Sequence, residues 1–392
     1  MGTTKKEDLA IITKEPFPIG MAATNRIISY SRIIARYKYV KVFIAKPTED
    51  FNSQFNFQPK GNFEGIDYEY TYGNVIWPKS KSKSYKSLIL FKGYLKLIIR
   101  IIQQKPKTVI IYTSSLSIRI LSILLKFLLK YKLVIEENEY PKILNRTKNK
   151  FLRQIHLTPY KNCDGMLVMT NELANYYKSV QAKEVHILPM TVDISRFNNI
   201  EDNVNELNYF IYVGGGGGFK RDGVFDIVKG FSIFLKKYPE YKLLIIGPYN
   251  PTDDSIKTIL RFISENNLSE SIKLTGSKPT NIIPSYLFHA KGIVMAPPKD
   301  FESGGFPTKL GEFLMSGTPV ITTAVSDIPK YLNNSNSYIV KTNSPEDIEK
   351  AMIQIVSDNK RAKIVGLKGK ELAQIHFNAE TYLDNLMAFL RV

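Results

Sequence analysis

Apolar positions follow two patterns along this chain. Short runs with almost no charge, such as DLAIITK (8–14), YVKVFIA (39–45), TVIIY (108–112) and KLLII (242–246), read as strands covered on both faces. Between them lie longer segments whose apolar residues recur every three or four positions, the helical period. One of these, Met21–Tyr37, carries Ala23, Ile27, Ile28 and Ile34; it follows the turn EPFPIG (15–20) and leads into the second run. This βαβ opening predicts a parallel sheet with helices on its faces. Residues 52–83 are rich in Asn, Gly, Lys and Ser and read as irregular, with a short strand near Tyr70. Helices are predicted over 87–104, 116–131, 148–161 and 171–179, separated by strands at 108–112, 133–136, 165–169 and 185–188. The stripe Leu88, Phe91, Leu95, Ile98, Ile99 and Ile102 on the first of these helices reads as core rather than as a membrane-inserting face.

A polar stretch, NNIEDNVNELN (198–208), then interrupts the alternation and reads as a linker. A second α/β series follows it, with strands at 209–213, 242–246, 272–274, 292–296, 319–322 and 339–341. Its helices are predicted over 223–238, 255–266, 281–289, 307–316, 345–357 and 360–377, with a last one over 379–391. The expected organisation is a first α/β domain over 1–197, a linker over 198–208, a second α/β domain over 209–375 and a C-terminal helix over 376–392. In open parallel sheets ligands bind outside the carboxyl ends of the strands, so motifs at strand ends are the ones to weigh.

Composition narrows the classes. The 392 residues suit two domains, and 44% apolar with 23% charged residues is a globular, soluble-type balance. Cys163 is the sole cysteine, so no intrachain disulfide is possible and a reducing setting is expected. The polar opening MGTTKKEDLA predicts no signal peptide, and Lys6 stands where a Gly2 myristoylation signal wants Ser or Thr. No uncharged apolar run reaches the roughly 18 residues of a spanning helix, so none is predicted; the expected localisation is cytoplasmic. The net charge of +18 is unevenly placed: Tyr70–Ile135 holds thirteen Lys and Arg and no acid. Such a surface attracts nucleic acid, anionic lipid or anionic substrates, or is simply solvated. No nucleic-acid-binding motif accompanies it, so nucleic acid is not the expected partner. The helices over 87–104 and 116–131 suggest instead peripheral contact with an anionic membrane, on the inner face of the plasma membrane.

Three strand-end motifs carry chemistry. GGGGGFKR (214–221) follows a strand; glycines such as Gly215 let backbone N–H groups approach a phosphate, and Lys220 and Arg221 add charge. A dinucleotide site would want an acid at the end of the next strand, where Gly247-Pro248 stands; a merely flexible loop is the plain alternative. ESGGFPTKLGE (302–312) joins a strand to a helix expected to begin near Pro307. Gly304 and Gly305 free the backbone so that N–H groups of about Phe306–Lys309 can meet a phosphate, Lys309 adds charge, and Glu312 can accept from a ribose diol or only complement the helix dipole. EENEYP (136–141) ends a strand of the first domain with three carboxylates, and is either a site or a solvated turn. The four histidines share no metal-ligand spacing and no paired-Asp motif sits at a strand end, so no obligatory metal or other cofactor is expected.

ESGGFPTKLGEFLMSGTPVITT resembles the donor-site signature of glycosyltransferase family 4, the large retaining family with the GT-B fold. ILPMTVDISRF (187–197), YVGGGGGFKRDGV, IIGPY and FPIGMAATNRI (17–27) resemble its other segments, so the likeness runs over nearly the whole chain. The resemblance implies an α/β protein of two Rossmann-like domains facing across a cleft, with the C-terminal helix crossing back to the first. It implies sugar transfer from a nucleotide diphosphate sugar to a glycan or lipid-linked acceptor without a metal, in bacterial surface polysaccharide assembly. By the same resemblance the backbone from Gly304 to Thr308 contacts sugar and phosphate, Glu312 holds the ribose, and Arg221 or Lys220 meets the diphosphate. Glu137, Asn138 or Glu139 faces the transferred sugar, and the acceptor lies near Gly20, Asn25 and Arg26. The family's two signature glutamates stand closer together than Glu302 and Glu312, which have nine residues between them; Glu312 fits the second and Gly304 takes the place of the first. Rival readings are a catalytically silent GT-B partner subunit, a nucleotide-sugar epimerase and a nucleic-acid-binding protein.

Overall fold

The computed structural model describes residues 8–50, 54–79, 82–141, 143, 147–198, 200, 208–214, 218–299 and 305–392. They form two compact units, one of Met1–Asp193 with Ala379–Val392 and one of Ile194–Asn378.

The first unit runs β1 (Leu9–Thr13), α1 (Ala22–Ala35), β2 (Val40–Ile44), β3 (Lys60–Phe63), β4 (Ile66–Tyr70), α2 (Lys83–Gln104), β5 (Thr108–Tyr112), α3 (Leu116–Leu129), β6 (Lys132–Glu137), α4 (Lys150–Asn162), β7 (Gly165–Val168), α5 (Asn171–Ser179) and β8 (Val185–Ile187). These strands form one eight-stranded sheet in the order β3-β4-β2-β1-β5-β6-β7-β8. All neighbours are parallel except β3 and β4. Strand alternation sorts the core by face: Leu9 and Ile11 point to one side with α1, whereas Ala10 and Ile12 point to the other with α2, α3, α4 and α5. Both faces are therefore covered, which is why the strands read as continuous apolar runs.

The hairpin β3–β4 lies within 52–83, which the sequence pattern gave as irregular with one short strand. Its two-residue loop is Glu64-Gly65, both at positive φ (51° and 85°), and Ile66, Tyr68 and Tyr70 supply the buried face of β4. The signal was present but short, and the Asn- and Lys-rich surroundings obscured it.

The second unit runs β9 (Tyr209–Val213), α6 (Gly218–Arg221), α7 (Val224–Leu235), β10 (Lys242–Ile246), α8 (Asp254–Glu265), β11 (Ile272–Gly276), α9 (Ile283–His289), β12 (Gly292–Met295), α10 (Lys309–Met315), β13 (Val320–Thr323), α11 (Ile328–Tyr331), β14 (Tyr338–Val340), α12 (Pro345–Ser357) and α13 (Asn359–His376). Its sheet is parallel throughout, in the order β11-β10-β9-β12-β13-β14. The order reverses direction at β9, so the carboxyl ends of β9 and β12 form the switch point where such sheets bind ligands.

After α13 the chain returns to the first unit, as expected. Helix α14 (Leu383–Leu390) buries Leu386, Phe389 and Leu390 among the α1-side core residues. Lys132 Nζ donates to the Phe389 carbonyl, and Thr108 Oγ1 to that of Leu390. Gly165 permits this approach: a Cβ there would lie 2.7 Å from the Phe389 ring.

The apolar stripe of α2 is not core. Leu97 and Ile101 pack in the core on the sheet and Ile89 is buried, whereas Leu88, Phe91, Leu95, Ile99 and Ile102 are exposed and Ile98 is half-buried. Among the described residues no helix is long and apolar enough to cross a membrane, and no group of three or more His, Cys, Asp and Glu is placed to hold a metal ion.

Candidate functional site

The end of β9 and the start of α10 meet in one cluster. Lys309 Nζ lies 2.6 Å from Asp222 Oδ2 and 3.3 Å from the Tyr212 hydroxyl, which donates to the same carboxylate oxygen at 2.7 Å. Gly214 makes room for this: an added Cβ would sit 2.1 Å from Lys309 Nζ and 2.3 Å from Tyr212 Oη. Asp222 is buried, and its carbonyl accepts from Ala296 N at 3.0 Å, which ties the turn after β9 to the end of β12. Gly223 follows at φ 70°, where a Cβ would fall 1.9 Å from the Ala296 carbonyl oxygen, so only glycine fits. Burial pulls the Lys309 ammonium below its usual pKa, and Asp222 opposes that shift.

Lys309 thus has an internal partner that the sequence did not suggest. Asp222 follows Arg221 directly, yet no spacing rule links it to a lysine 87 positions on. The outward charges here are Lys220 and Arg221, both exposed; Arg221 Nε stands 3.5 Å from Asp222 Oδ1. Gly215 lies outside the described residues, as do Glu302 and Gly304.

Helix α10 begins at Lys309 with Thr308 as its cap residue, two residues later than the Pro307 start expected. Gly305, Phe306 and Pro307 are buried. The Phe306 ring packs on Tyr331 and Phe377, so it anchors the turn and leaves only its main chain to a ligand. Ser326 Oγ donates to the Gly305 carbonyl at 2.6 Å and fixes the turn from the other side. Glu312 Oε1 accepts from Arg196 at 2.6 Å, and Arg196 also donates to the Thr280 carbonyl at 2.9 Å. Arg196 sits in the segment ILPMTVDISRF, where the sequence pattern marks no role for it, because a partner 116 residues away leaves no trace in spacing.

In the first unit the segment after β1 is held in place. Ile19 N donates to Asn56 Oδ1 and Asn56 Nδ2 returns a bond to the Ile19 carbonyl, both at 2.8 Å, while Glu49 grips Asn56. Thr24 Oγ1 donates to the Pro16 carbonyl at 2.6 Å, and a Cβ at Gly20 would collide with that hydroxyl. Arg26 corrects the expectation that it lies towards an acceptor. It is buried, with Nε 2.5 Å from Glu136 and its other nitrogens on the Pro189 and Leu188 carbonyls. Tyr30 donates to the second Glu136 oxygen at 3.0 Å. Burial still raises the Glu136 pKa, against the lowering effect of Arg26.

The acidic tip of β6 therefore divides by role. Glu136 is an internal charge partner. Glu137 binds Arg119 and the Tyr160 hydroxyl, the latter at 2.8 Å. Asn138 turns its Nδ2 to the Tyr112 hydroxyl at 2.7 Å and also bonds Glu136. Its Oδ1 is buried without a hydrogen-bond partner. Glu139 is half-buried, and its carbonyl accepts from Tyr177 at 3.4 Å.

Residues 194–372 match the family model for glycosyl transferases group 1, so the second unit carries that superfamily's domain. A curated relative, an uncharacterized glycosyltransferase of Methanocaldococcus jannaschii, is 23% identical over 276 residues; the match covers 65% of this chain and 63% of the relative, less than two thirds of its length. Among solved structures, sucrose-phosphate synthase from Thermosynechococcus elongatus superposes with a TM-score of 0.71 at 16% identity over 98% of both chains. HepE from Anabaena, in complex with UDP and glucose, gives 0.69 at 11% identity over 98% of this chain and 100% of its own. The chain has the GT-B fold of two Rossmann-like domains.

Proposed function

We propose that this protein is a retaining glycosyltransferase that moves a hexosyl group from a nucleotide diphosphate sugar to a hydroxyl of a glycan or lipid-linked acceptor, in bacterial surface polysaccharide assembly. The observation that carries this is the junction of β9, β12 and α10, where Gly214, Asp222 and Gly223 hold Lys309 beside two outward cations, Lys220 and Arg221. The group 1 domain and the likeness to a UDP-bound protein support a nucleoside diphosphate as the occupant.

In this reading the donor lies on the second unit. Main-chain N–H groups between Gly305 and Lys309 meet the phosphates, Glu312 accepts from the ribose hydroxyls, and Arg196 sets the orientation of that carboxylate. Arg221 and Lys220 stabilise the charge that develops as the bond from the anomeric carbon to the diphosphate oxygen breaks. The acceptor oxygen bonds to the same carbon from the face the diphosphate leaves, and its proton passes to a leaving phosphate oxygen. Asn138 Oδ1, an unpaired acceptor, is the group at the tip of β6 most in need of a hydroxyl partner. Gly20 shapes the acceptor-side turn, and Glu139, Glu302 and Gly304 are assigned to the sugar from the sequence pattern alone. No metal is assigned a step.

Arg221→Ala tests the assignment. Its side chain is half exposed, so the variant keeps the fold while kcat for sugar transfer drops on the order of a hundredfold. Wild-type turnover in the purified variant would remove Arg221 from the mechanism, and a product of inverted anomeric configuration would remove retention.

A further inference from the structure

A helix layer over a parallel sheet normally turns apolar residues inward and polar ones to water. The layer formed by α2, α3 and α4 departs from this on its outer side. All three bury residues against the same sheet face: Leu97 and Ile101 from α2, Ile118 and Ile123 from α3, Leu157 and Tyr160 from α4. Each also carries large apolar side chains on its exposed side. On α2 these are Leu88, Phe91, Leu95, Ile99 and Ile102, spaced by three or four residues and so aligned along one side of a helix about 33 Å long. On α3 they are Ile120, Leu124, Phe127 and Leu128, and α4 opens with Phe151 and Leu152. Exposure reaches 60% at Phe91, 69% at Phe127 and 73% at Phe151. Single exposed apolar residues are ordinary, but aligned stripes on α2 and α3, with an exposed apolar pair on a third helix of the same layer, mark an interaction face.

Charge selects the occupant. From Tyr70 to Ile135, the stretch that contains α2 and α3, the chain has thirteen Lys and Arg and no acid; six of them pair with acids from elsewhere in the fold, and Lys86, Lys92, Lys105 and Lys130 are among those left exposed. Beside Phe127 opens a pocket of about 660 Å³ bordered by five cations; Lys126 and Lys183 pair with Asp164 and Lys132 with Glu184, so Lys130 and Arg391 are the cations it turns to solvent. A second copy of this chain docking by the same face would set these cations against themselves, which disfavours a symmetric dimer. A bilayer with anionic headgroups complements both features, taking the apolar side chains at headgroup depth and the cations at the phosphates.

We propose that the outer face of α2, α3 and α4 is a peripheral docking surface for an anionic lipid bilayer. Phe91, Leu95, Leu124, Phe127 and Phe151 enter the interface, and lysines such as Lys92 and Lys130 meet lipid phosphates. No helix among the described residues crosses the bilayer, so the contact is reversible and salt-sensitive. The proposal deepens the reading of a lipid-linked acceptor and rests on it only for its purpose; the contact itself is measured without any nucleotide sugar, so failure of one leaves the other standing.

The experiment is co-sedimentation of the full chain with phosphatidylcholine vesicles, with and without phosphatidylglycerol, at low and high salt. Binding is expected only to the phosphatidylglycerol vesicles, weakening at high salt. The double variant Phe91→Ser/Phe127→Ser should bind at least about tenfold more weakly. Both side chains are solvent-exposed, so unchanged Trp77 fluorescence is the check on the fold. Absence of binding at low salt overturns the proposal, and so does a double variant that binds like wild type. Light scattering on the same samples decides the remaining case: a dimer that these substitutions dissolve would assign the face to a second copy and overturn the bilayer.

Discussion

Replacing Asp222 by asparagine removes one charge from a cluster in which Lys309 has little other support. The carboxylate is buried, 2.6 Å from Lys309 Nζ, and accepts from Tyr212 at 2.7 Å. Breaking a buried pair by deleting one partner costs about 3–5 kcal/mol. The Lys309 side chain keeps 21% of its exposure, and the amide oxygen still accepts from Tyr212, so a loss of about 2–3 kcal/mol is expected at neutral pH. The sign of the pH dependence follows from Lys309. Its folded pKa already lies below the ordinary lysine value through burial, and loss of Asp222 lowers it further. Between that value and the unfolded value of about 10.4 the unfolded chain binds more protons, so stability rises with pH there. The deficit of the variant should therefore be larger at neutral pH than at a pH approaching the unfolded lysine value. Trp77, the lone tryptophan, belongs to the first unit and does not report this cluster. Hydrogen exchange read by peptide does: segments 209–214 and 309–315 should exchange roughly 30- to 150-fold faster in Asp222→Asn, with segments of the first unit unchanged. Unaltered protection in both segments, or a deficit that is equal at the two pH values, would refute a charge-bearing Lys309–Asp222 pair.

Other outcomes follow from the same geometry. Arg26→Met leaves the Glu136 carboxylate buried without its cation and should cost about 3–5 kcal/mol at neutral pH in urea unfolding followed by Trp77 fluorescence. Because burial raises the folded Glu136 pKa above its unfolded value, its stabilising contribution is present at low pH and lost as pH rises through the folded value, so the deficit should be larger near pH 8 than near pH 5. Gly165→Ala puts a methyl 2.7 Å from the Phe389 ring and should lower stability by about 1–3 kcal/mol, with increased exchange in α14. Glu312→Gln removes the charge that accepts from Arg196 and from the ribose assigned to it; the KM for the nucleotide sugar should rise about tenfold with kcat little changed, and an equal fall in kcat would place Glu312 in the transition state instead.

The local code of this chain was legible where one element satisfies it alone. Apolar runs such as LAIIT and the LLII of KLLII marked the buried strands, the change of period marked most helices, and the alternation of the two marked the paired α/β units. The glycines after β9 marked a place of close approach, seen where Gly214 makes room for Lys309 and Tyr212, because such approach demands glycine wherever the chain goes next. What periodicity does not encode is which distant side chains meet. Lys309 with Asp222, Arg196 with Glu312 and Arg26 with Glu136 lie 87, 116 and 110 positions apart, and only the strand order brings them together. Helix α2 shows the same limit on a larger scale. Apolar residues occupy two of its sides, Ile89, Leu97 and Ile101 on one and Leu88, Phe91, Leu95, Ile99 and Ile102 on another. A helical period establishes that such sides exist; the docking of the helix on the sheet decides which is core and which is left to a partner.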